Sequence, residues 1–428
     1  MNLKVFFWIA LVCLVLALVF YLTGQTSLTG PFIIAFFVLL ALSAPGIKQI
    51  KGFAFALWIF SSVSAAMFYP VLFRSWGSFD LKILIVPLLQ IIMFGMGSQM
   101  SIKDFQGVIK MPKGVIVGIV CQFTIMPIIG ITIASTFGFP PEIAAGIVLV
   151  GSSPSGLASN VMAFLSKANL ALSVTLTAVA TLMAPIMTPL LMKLFAGQYV
   201  PIDFWNMMIG ITEIVILPII GGLMFNAIAY GKHSRKSIII QAVCFFLIVV
   251  LKNVMVFETS EAGLSAALIE MGKNTIWFVI LPIIAGFQFK KWAASQESLN
   301  KALSFISMAG IAVIISIITA AGRDSLLEIG ALLILACLIH NTFGYFLGYW
   351  ACRLLGMDER SCRTIAIEVG MQNGGLASGI ALQMGKVATV GLAPAVFGPM
   401  MNITGSTLAS WWRDRPPVGD DETKTENE

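Results

Sequence analysis

Ser152-Ser153-Pro154-Ser155-Gly156-Leu157-Ala158-Ser159-Asn160 and, roughly two hundred residues on, Glu368-Val369-Gly370-Met371-Gln372-Asn373-Gly374-Gly375 are polar interruptions of two long apolar stretches. A helix crosses a bilayer cheaply because its backbone N–H and C=O groups pair within the segment. Proline and glycine break that pairing, so the freed groups must be met by protein or by a water-lined cavity. Glu368 adds a carboxylate at the same depth, at a cost of about 2.5–3.5 kcal/mol on insertion scales. Both breaks are glycine-rich, both carry Asn, and they fall in comparable positions of two halves. Paired interrupted helices of this kind point to a secondary transporter with repeated halves, whose half-helix ends present partial charges to ions and substrate.

The surrounding composition agrees. Of 428 residues, 58% are hydrophobic and 11% charged, and the mean hydropathy is +0.94; soluble domains carry about a quarter charged residues. The sequence reads as one all-α polytopic membrane unit, with no stretch long enough for an independent soluble core. The net charge of +6 comes from Lys and Arg scattered over short connections, which excludes a nucleic-acid face. Cys13, Cys121, Cys244, Cys337, Cys352 and Cys362 have no paired spacing and read as small core residues. Met1 to Gly24 places Lys4 before an apolar run too long for a signal peptide, and we read it as a retained first span.

Hydropathy gives spans near 4–23, 31–46, 53–73, 81–98, 114–136, 143–165, 170–196, 205–230, 237–256, 275–290, 302–321, 326–351, 362–384 and 389–411, fourteen in all. The second and tenth are short enough to be interfacial or re-entrant. Loops after even-numbered spans hold fifteen Lys and Arg, loops after odd-numbered spans six. Because cytoplasmic connections collect basic residues, this bias predicts an even count with both termini cytoplasmic, in a cell (inner) membrane. Val215-Ile216-Leu217-Pro218-Ile219-Ile220 and Val279-Ile280-Leu281-Pro282-Ile283-Ile284 repeat one another. They read either as a duplicated helix pair or as two ordinary apolar helices with a proline. Residues 413–428 turn acidic and are expected to be a disordered cytoplasmic tail.

Several polar residues have ordinary readings. Ser173 and Thr177 share a helical face, where hydroxyls commonly bond back to the preceding turn. Gln122 reads as an interhelical hydrogen bond or as a ligand. Glu368 itself could be a protonated or interface-level glutamate. Glu213 and Lys252 each fall where a helix could end or a side chain snorkel, and neither is given a role. His340 and Asn341 read as packing between helices. No Asp-rich motif, Gly-x-Ser-x-Gly or His-Glu-x-x-His occurs, so nothing supports an enzyme.

A set of motifs then narrows the reading. Ile92-Met93-Phe94-Gly95-Met96-Gly97, Gln122-Phe123-Thr124-Ile125-Met126-Pro127, Ala158-Ser159-Asn160-Val161-Met162 with Ala171-Leu172-Ser173-Val174, Ile367 to Asn373 and Asn402-Ile403-Thr404-Gly405 occur in this order. Together they resemble the bile acid:sodium symporter family, in its bacterial-type form, from about residue 53 to 412. The resemblance implies ten family helices arranged as a panel and a core domain by inverted repeats, with two discontinuous core helices crossing at mid-membrane. On that template residues 1–50 are extra N-terminal helices, 51–412 the transporter unit, and the material near 236–275 a helix insertion.

Carried over residue by residue, the resemblance implies two sodium ions. One would be held by Ser159, Asn160, Ser173, Thr177 and Glu368. The other would be held by Gln122, Glu368, Gln372 and the main-chain carbonyls of Val369 and Met371. Carboxylate, hydroxyl, amide and carbonyl oxygens suit a hard cation on general grounds. The implied substrate, an organic anion, would sit at the crossing near Gly156, Leu157, Asn373 and Asn402, where helix N-termini favour negative charge. Leu157 stands where a Thr is common in the family, and Met401 where a His commonly precedes the Asn, so polar groups are lost near the cavity. The expected activity is sodium-coupled import of an organic anion by alternating access. Two other readings stay open: a proton-coupled transporter using Glu368 with His340, and a sodium-dependent sensor that binds without transporting.

Overall fold

The computed structural model of the chain describes residues 3–47, 50–101, 104–105, 107–231, 235–259, 264–291 and 295–417. Residues 418–428 of the acidic tail, and Lys48, Lys103 and Lys232 of the charge count, lie outside the described residues.

Each expected span is helical. Eleven continuous helices among the described residues are long and apolar enough to cross a membrane. Two further spans are broken, and Leu392–Arg413 is a helix of 22 residues. The second and tenth spans are not short. They run over Ser27–Gly46 and Ala267–Lys291, 20 and 25 residues, and about 30 Å suffices to cross the hydrocarbon. The sequence pattern ended them early at polar residues through which the helix in fact continues: Thr29 before Pro31 in one, Glu270, Lys273 and Asn274 in the other.

Side-chain caps set several boundaries. Asn169, Asp203, Asp358 and Asn373 each accept from a backbone N–H of the first helical turn that follows, through Leu172, Asn206, Ser361 and Leu376, which satisfies donors a helix start leaves open. The first broken span consists of Pro141–Gly151 and Ala158–Leu165. The second consists of Glu359–Gly370 and Gly374–Gln383.

The helices pack in two groups. Ala54–Phe68, Ile85–Gln99, Leu217–Ala229 and Gln296–Ala321 lie against one another; Pro112–Thr136, Leu170–Leu191, Arg323–Leu354, Leu392–Arg413 and the two broken spans form the other group. One large apolar cluster, which includes Leu89, Met96, Met126, Ile147, Leu176 and Phe397, runs through both. Leu3–Leu22 packs on Thr26–Ser43, which packs on Ala54–Phe68.

Arg235–Thr259 and Leu264–Lys291 cover the helix around Leu217–Ala229 through a separate apolar cluster of Leu217, Met224, Ile228, Val249 and Val279. The two repeated hexapeptides occupy equivalent local structures, since a π-helical turn, Thr212–Ile216 or Ile276–Ile280, precedes Leu217-Pro218 and Leu281-Pro282. Lys252 neither ends a helix nor snorkels. Its side chain is 2% exposed, sits 3.1 Å from the Glu213 carboxylate and also binds Glu270. A charge at that depth is retained because two carboxylates meet it.

Candidate functional site

The two breaks meet. Their extended residues pair like a fragment of antiparallel sheet: the Gly156 N–H donates to the Met371 carbonyl at 3.1 Å and the Asn373 N–H to the Pro154 carbonyl at 2.8 Å, about a bridge between Ser155 and Gln372. Much of the backbone freed by the breaks is thereby satisfied within the protein. Neighbours meet further groups, with Asn341 donating to the Gly370 carbonyl and Thr188 to the Ser152 carbonyl, both at 2.8 Å. The close approach explains Gly156, whose added Cβ would lie 3.2 Å from the Gln372 carbonyl oxygen.

Glu368, 2% exposed, lies two residues before Gly370, where the helix ends and whose carbonyl Asn341 holds. One carboxylate oxygen accepts from Ser159 and Ser173, both at 2.6 Å; the other accepts from Ser155 at 2.6 Å and Thr177 at 2.9 Å. The same hydroxyls face further acceptors. Ser159 is 2.7 Å from the Gly156 carbonyl, and Ser173 and Thr177 are 2.8 and 3.4 Å from the Asn160 side-chain oxygen. Four hydroxyls carry four protons, which are shared over seven close contacts to these oxygens. No Lys, Arg or His among the described residues forms an ion pair with Glu368. The cluster is therefore an oxygen-rich, electron-rich cage suited to a small hard cation. Among the described residues no group of three His, Cys, Asp or Glu could hold a metal ion; the oxygens gathered here are one carboxylate, hydroxyls, an amide oxygen and a carbonyl.

A second polar cluster adjoins it. The Gln122 amide donates to the Ser153 carbonyl at 2.9 Å and to the Gln372 side-chain oxygen at 2.8 Å, and Gln372 donates to the Val369 carbonyl. The side-chain oxygen of Gln122 is buried with no hydrogen-bond partner, as is the Ser152 hydroxyl. An unsatisfied buried acceptor costs about 1–3 kcal/mol, and a cation supplies what it lacks. Glu368 directs both of its oxygens to the first cluster, and the Met371 carbonyl is engaged by Gly156.

The structure thus brings Ser159, Asn160, Ser173, Thr177 and Glu368 into one network and Gln122, Val369 and Gln372 into another. Gly156, Leu157 and Asn373 lie at the crossing, where Asn373 caps the helix Gly374–Gln383. The Asn402 amide bonds back to Gly398 of its own helix at 2.8 Å and makes no tie to the crossing. Sequence reasoning missed Ser155 as a partner of Glu368; the polar run Ser152 to Ser155 held the signal. It also gave Asn341 only a packing role. His340 bonds the Met126 carbonyl at 2.9 Å. At the crossing, helix C-termini at Gly151 and Gly370 offer partial negative charge, while N-termini at Ala158 and Gly374 offer partial positive charge.

Comparison with known proteins bears on this geometry. A family model described as the Sodium Bile acid symporter family matches residues 86–262 and 254–329. The chain is 33% identical over 367 residues to a Bacillus subtilis protein named an uncharacterized sodium-dependent transporter, covering 86% of this chain and 92% of that one. It is 27% identical over 376 residues to a probable chloroplastic sodium/metabolite cotransporter of Oryza sativa subsp. japonica, covering 87% and 75%. It is also 27% identical over 299 residues to an ileal sodium/bile acid cotransporter of Oryctolagus cuniculus, covering 68% and 67%.

Proposed function

The chain belongs to the sodium bile acid symporter family, and from that premise we propose that it imports an organic anion with sodium by alternating access. As a member it is an integral membrane, sodium-coupled transporter and not an enzyme. The observation that carries the finer reading is the cage around Glu368, a buried carboxylate whose four hydroxyl partners are shared with the Gly156 carbonyl and Asn160. One sodium ion among these oxygens would neutralise the carboxylate. A second, at Gln122, Gln372 and the Val369 carbonyl, would satisfy the orphaned Gln122 oxygen. Glu368 and the Met371 carbonyl, which accept from the first cluster's hydroxyls and from the Gly156 N–H, would complete the second ion's ligands through their remaining lone pairs.

The anion would lie at the crossing, against the N-termini at Ala158 and Gly374 with Gly156, Asn373 and Asn402 nearby. Leu157 and Met401 make its surroundings more apolar than the family pattern, which favours an amphiphilic carboxylate. On this reading residues 51–412 form the transport unit, and the N-terminal pair and the insertion near 236–275 are additions to it. Both termini are cytoplasmic in a cell membrane. In the proton-coupled alternative Glu368 would titrate with His340 assisting; the His340 Nε2 instead bonds the Met126 carbonyl at 2.9 Å, which favours the sodium reading.

Two sodium ions with one monovalent anion carry one positive charge inward, favoured by about 2.3 kcal/mol per 100 mV. Uptake into proteoliposomes should stop when potassium or choline replaces sodium. Uptake that survives the replacement overturns the coupling.

A further inference from the structure

A cavity of about 720 Å³ opens between Arg323–Leu354, the start of the second broken span and Leu392–Arg413. None of its lining residues belongs to the sodium clusters or the crossing. We propose that this groove binds an anionic phospholipid, acyl chain inward and headgroup at the Trp411 end.

The walls and the rim differ in chemistry. Along the groove stand Tyr345, Phe346, Tyr349, Leu408 and the two exposed rings Trp350 and Trp411, about half accessible each. From Thr342 to Trp350 the wall is about 12 Å long at the rise of an α-helix, enough for the upper part of an acyl chain. Tryptophans of this exposure at the end of a crossing helix mark headgroup level.

At that level the charge is positive. Arg415 stacks on Trp411 with its guanidinium 4.6 Å from the ring, and among the described residues this guanidinium donates to the Trp411 carbonyl alone, at 3.3 Å. Arg363 is buried, donating to the carbonyls of Ser166, Trp412 and Arg415 and to Glu359. Arg353, 45% exposed, lies 3.9 Å from Glu359. Among the described residues the groove is lined by one carboxylate, Glu359, which Arg353 and Arg363 approach, with Arg415 at the same end, while the adjoining Arg413 and Asp414 pair with each other. An apolar slot on the outer face of crossing helices, closed by net positive charge beside interfacial tryptophans, fits a phospholipid phosphate and not a water-soluble anion. From its deep end a chain of contacts reaches the second break: Tyr345 lies 3.4 Å from the Thr404 hydroxyl, Thr404 bonds Asn341, and Asn341 holds the Gly370 carbonyl.

The test uses the purified full chain in dodecylmaltoside, challenged with phosphatidylglycerol or phosphatidylcholine and read by native mass spectrometry. Phosphatidylglycerol should be retained preferentially. Retention should fall about fivefold per arginine removed in Arg353→Gln, Arg415→Gln and their double variant, with Arg363 kept. Trp350→Ala should weaken retention of both lipids. The sodium-induced thermal shift should persist in all of these variants, which separates the lipid site from the transport reading. Equal retention of the two lipids, or phosphatidylglycerol retention unchanged in the variants, overturns the proposal. Competitive displacement by taurocholate overturns it too, and reassigns the groove to a soluble amphiphile.

Discussion

Glu368 is the residue around which the site is arranged, and its neighbours explain why it can stay. Hydroxyls are neutral, so the four that surround it lower the cost of the buried carboxylate without cancelling its charge. On the proposed reading, sodium bound to that charge would stabilise the folded protein by RT ln(1 + [Na⁺]/Kd), about 2.7 kcal/mol at a hundredfold excess over Kd. Glu368→Ala and Glu368→Gln should each abolish this gain, measured as the sodium-dependent shift in thermal unfolding of purified protein. A shift equal to that of the unaltered protein in both variants removes Glu368 from the cage. The sequence exposed this residue because a carboxylate inside an apolar run has few innocent explanations. It did not expose Ser155, because serines flanking Pro154 read as turn chemistry until the second break is laid against them. Nor did it reveal the partners of Lys252, since Glu213 and Glu270 come from different helices and only packing brings them together.

At the scale of elements, the breaks were legible and their supports were not. Proline, glycine and hydroxyl residues within apolar stretches mark an interrupted helix by local chemistry alone. What receives the freed carbonyls is decided by tertiary contacts, and Asn341 is the clearest case. It lies mid-span in Arg323–Leu354, buried, with its amide on the Gly370 carbonyl and its oxygen accepting from Thr404. Asn341→Leu keeps the volume but strands the Gly370 carbonyl, while the Thr404 hydroxyl keeps the Met400 carbonyl of its own helix at 3.1 Å. The substitution should cost about 1–3 kcal/mol for the carbonyl left unpaired. Because Gly370 terminates the half-helix bearing Glu368 and precedes Gln372, sodium affinity should fall as well. Thermal unfolding with and without sodium reads both effects, and a variant as stable as the original with undiminished sodium response would show that Asn341 only fills space. The extended limits of the second and tenth spans follow the same logic, since hydropathy stops at a polar residue while the helix continues wherever that residue has a partner or a protein face.

At the scale of the molecule, fourteen apolar segments can be counted in sequence, but their division into packing groups depends on which faces meet, and every face here is apolar. The hydrophobic pattern carries little of that information in a membrane protein, where helices pack by close fit and lipid offers no polar contrast. The second broken span leans on the other group around Leu89: a Cβ built on Gly379 would lie 2.6 Å from the Leu89 side chain and 3.6 Å from Ile214, and one on Gly375 would lie 3.2 Å from Leu89. If transport moves one group against the other, this contact must open and close. Leu89→Cys paired with Gly379→Cys, with the exposed Cys244 replaced, places two thiols in reach of a disulfide. Oxidation should then block sodium-driven uptake almost completely and reduction should restore it, while each single cysteine variant retains uptake under the same oxidant. The sodium-dependent thermal shift should survive in the cross-linked protein, because neither residue touches the Glu368 cage. Uptake continuing at full rate in protein shown to be cross-linked would mean that the two groups of helices do not part during the cycle, and that access to the crossing changes by local movement of the breaks alone.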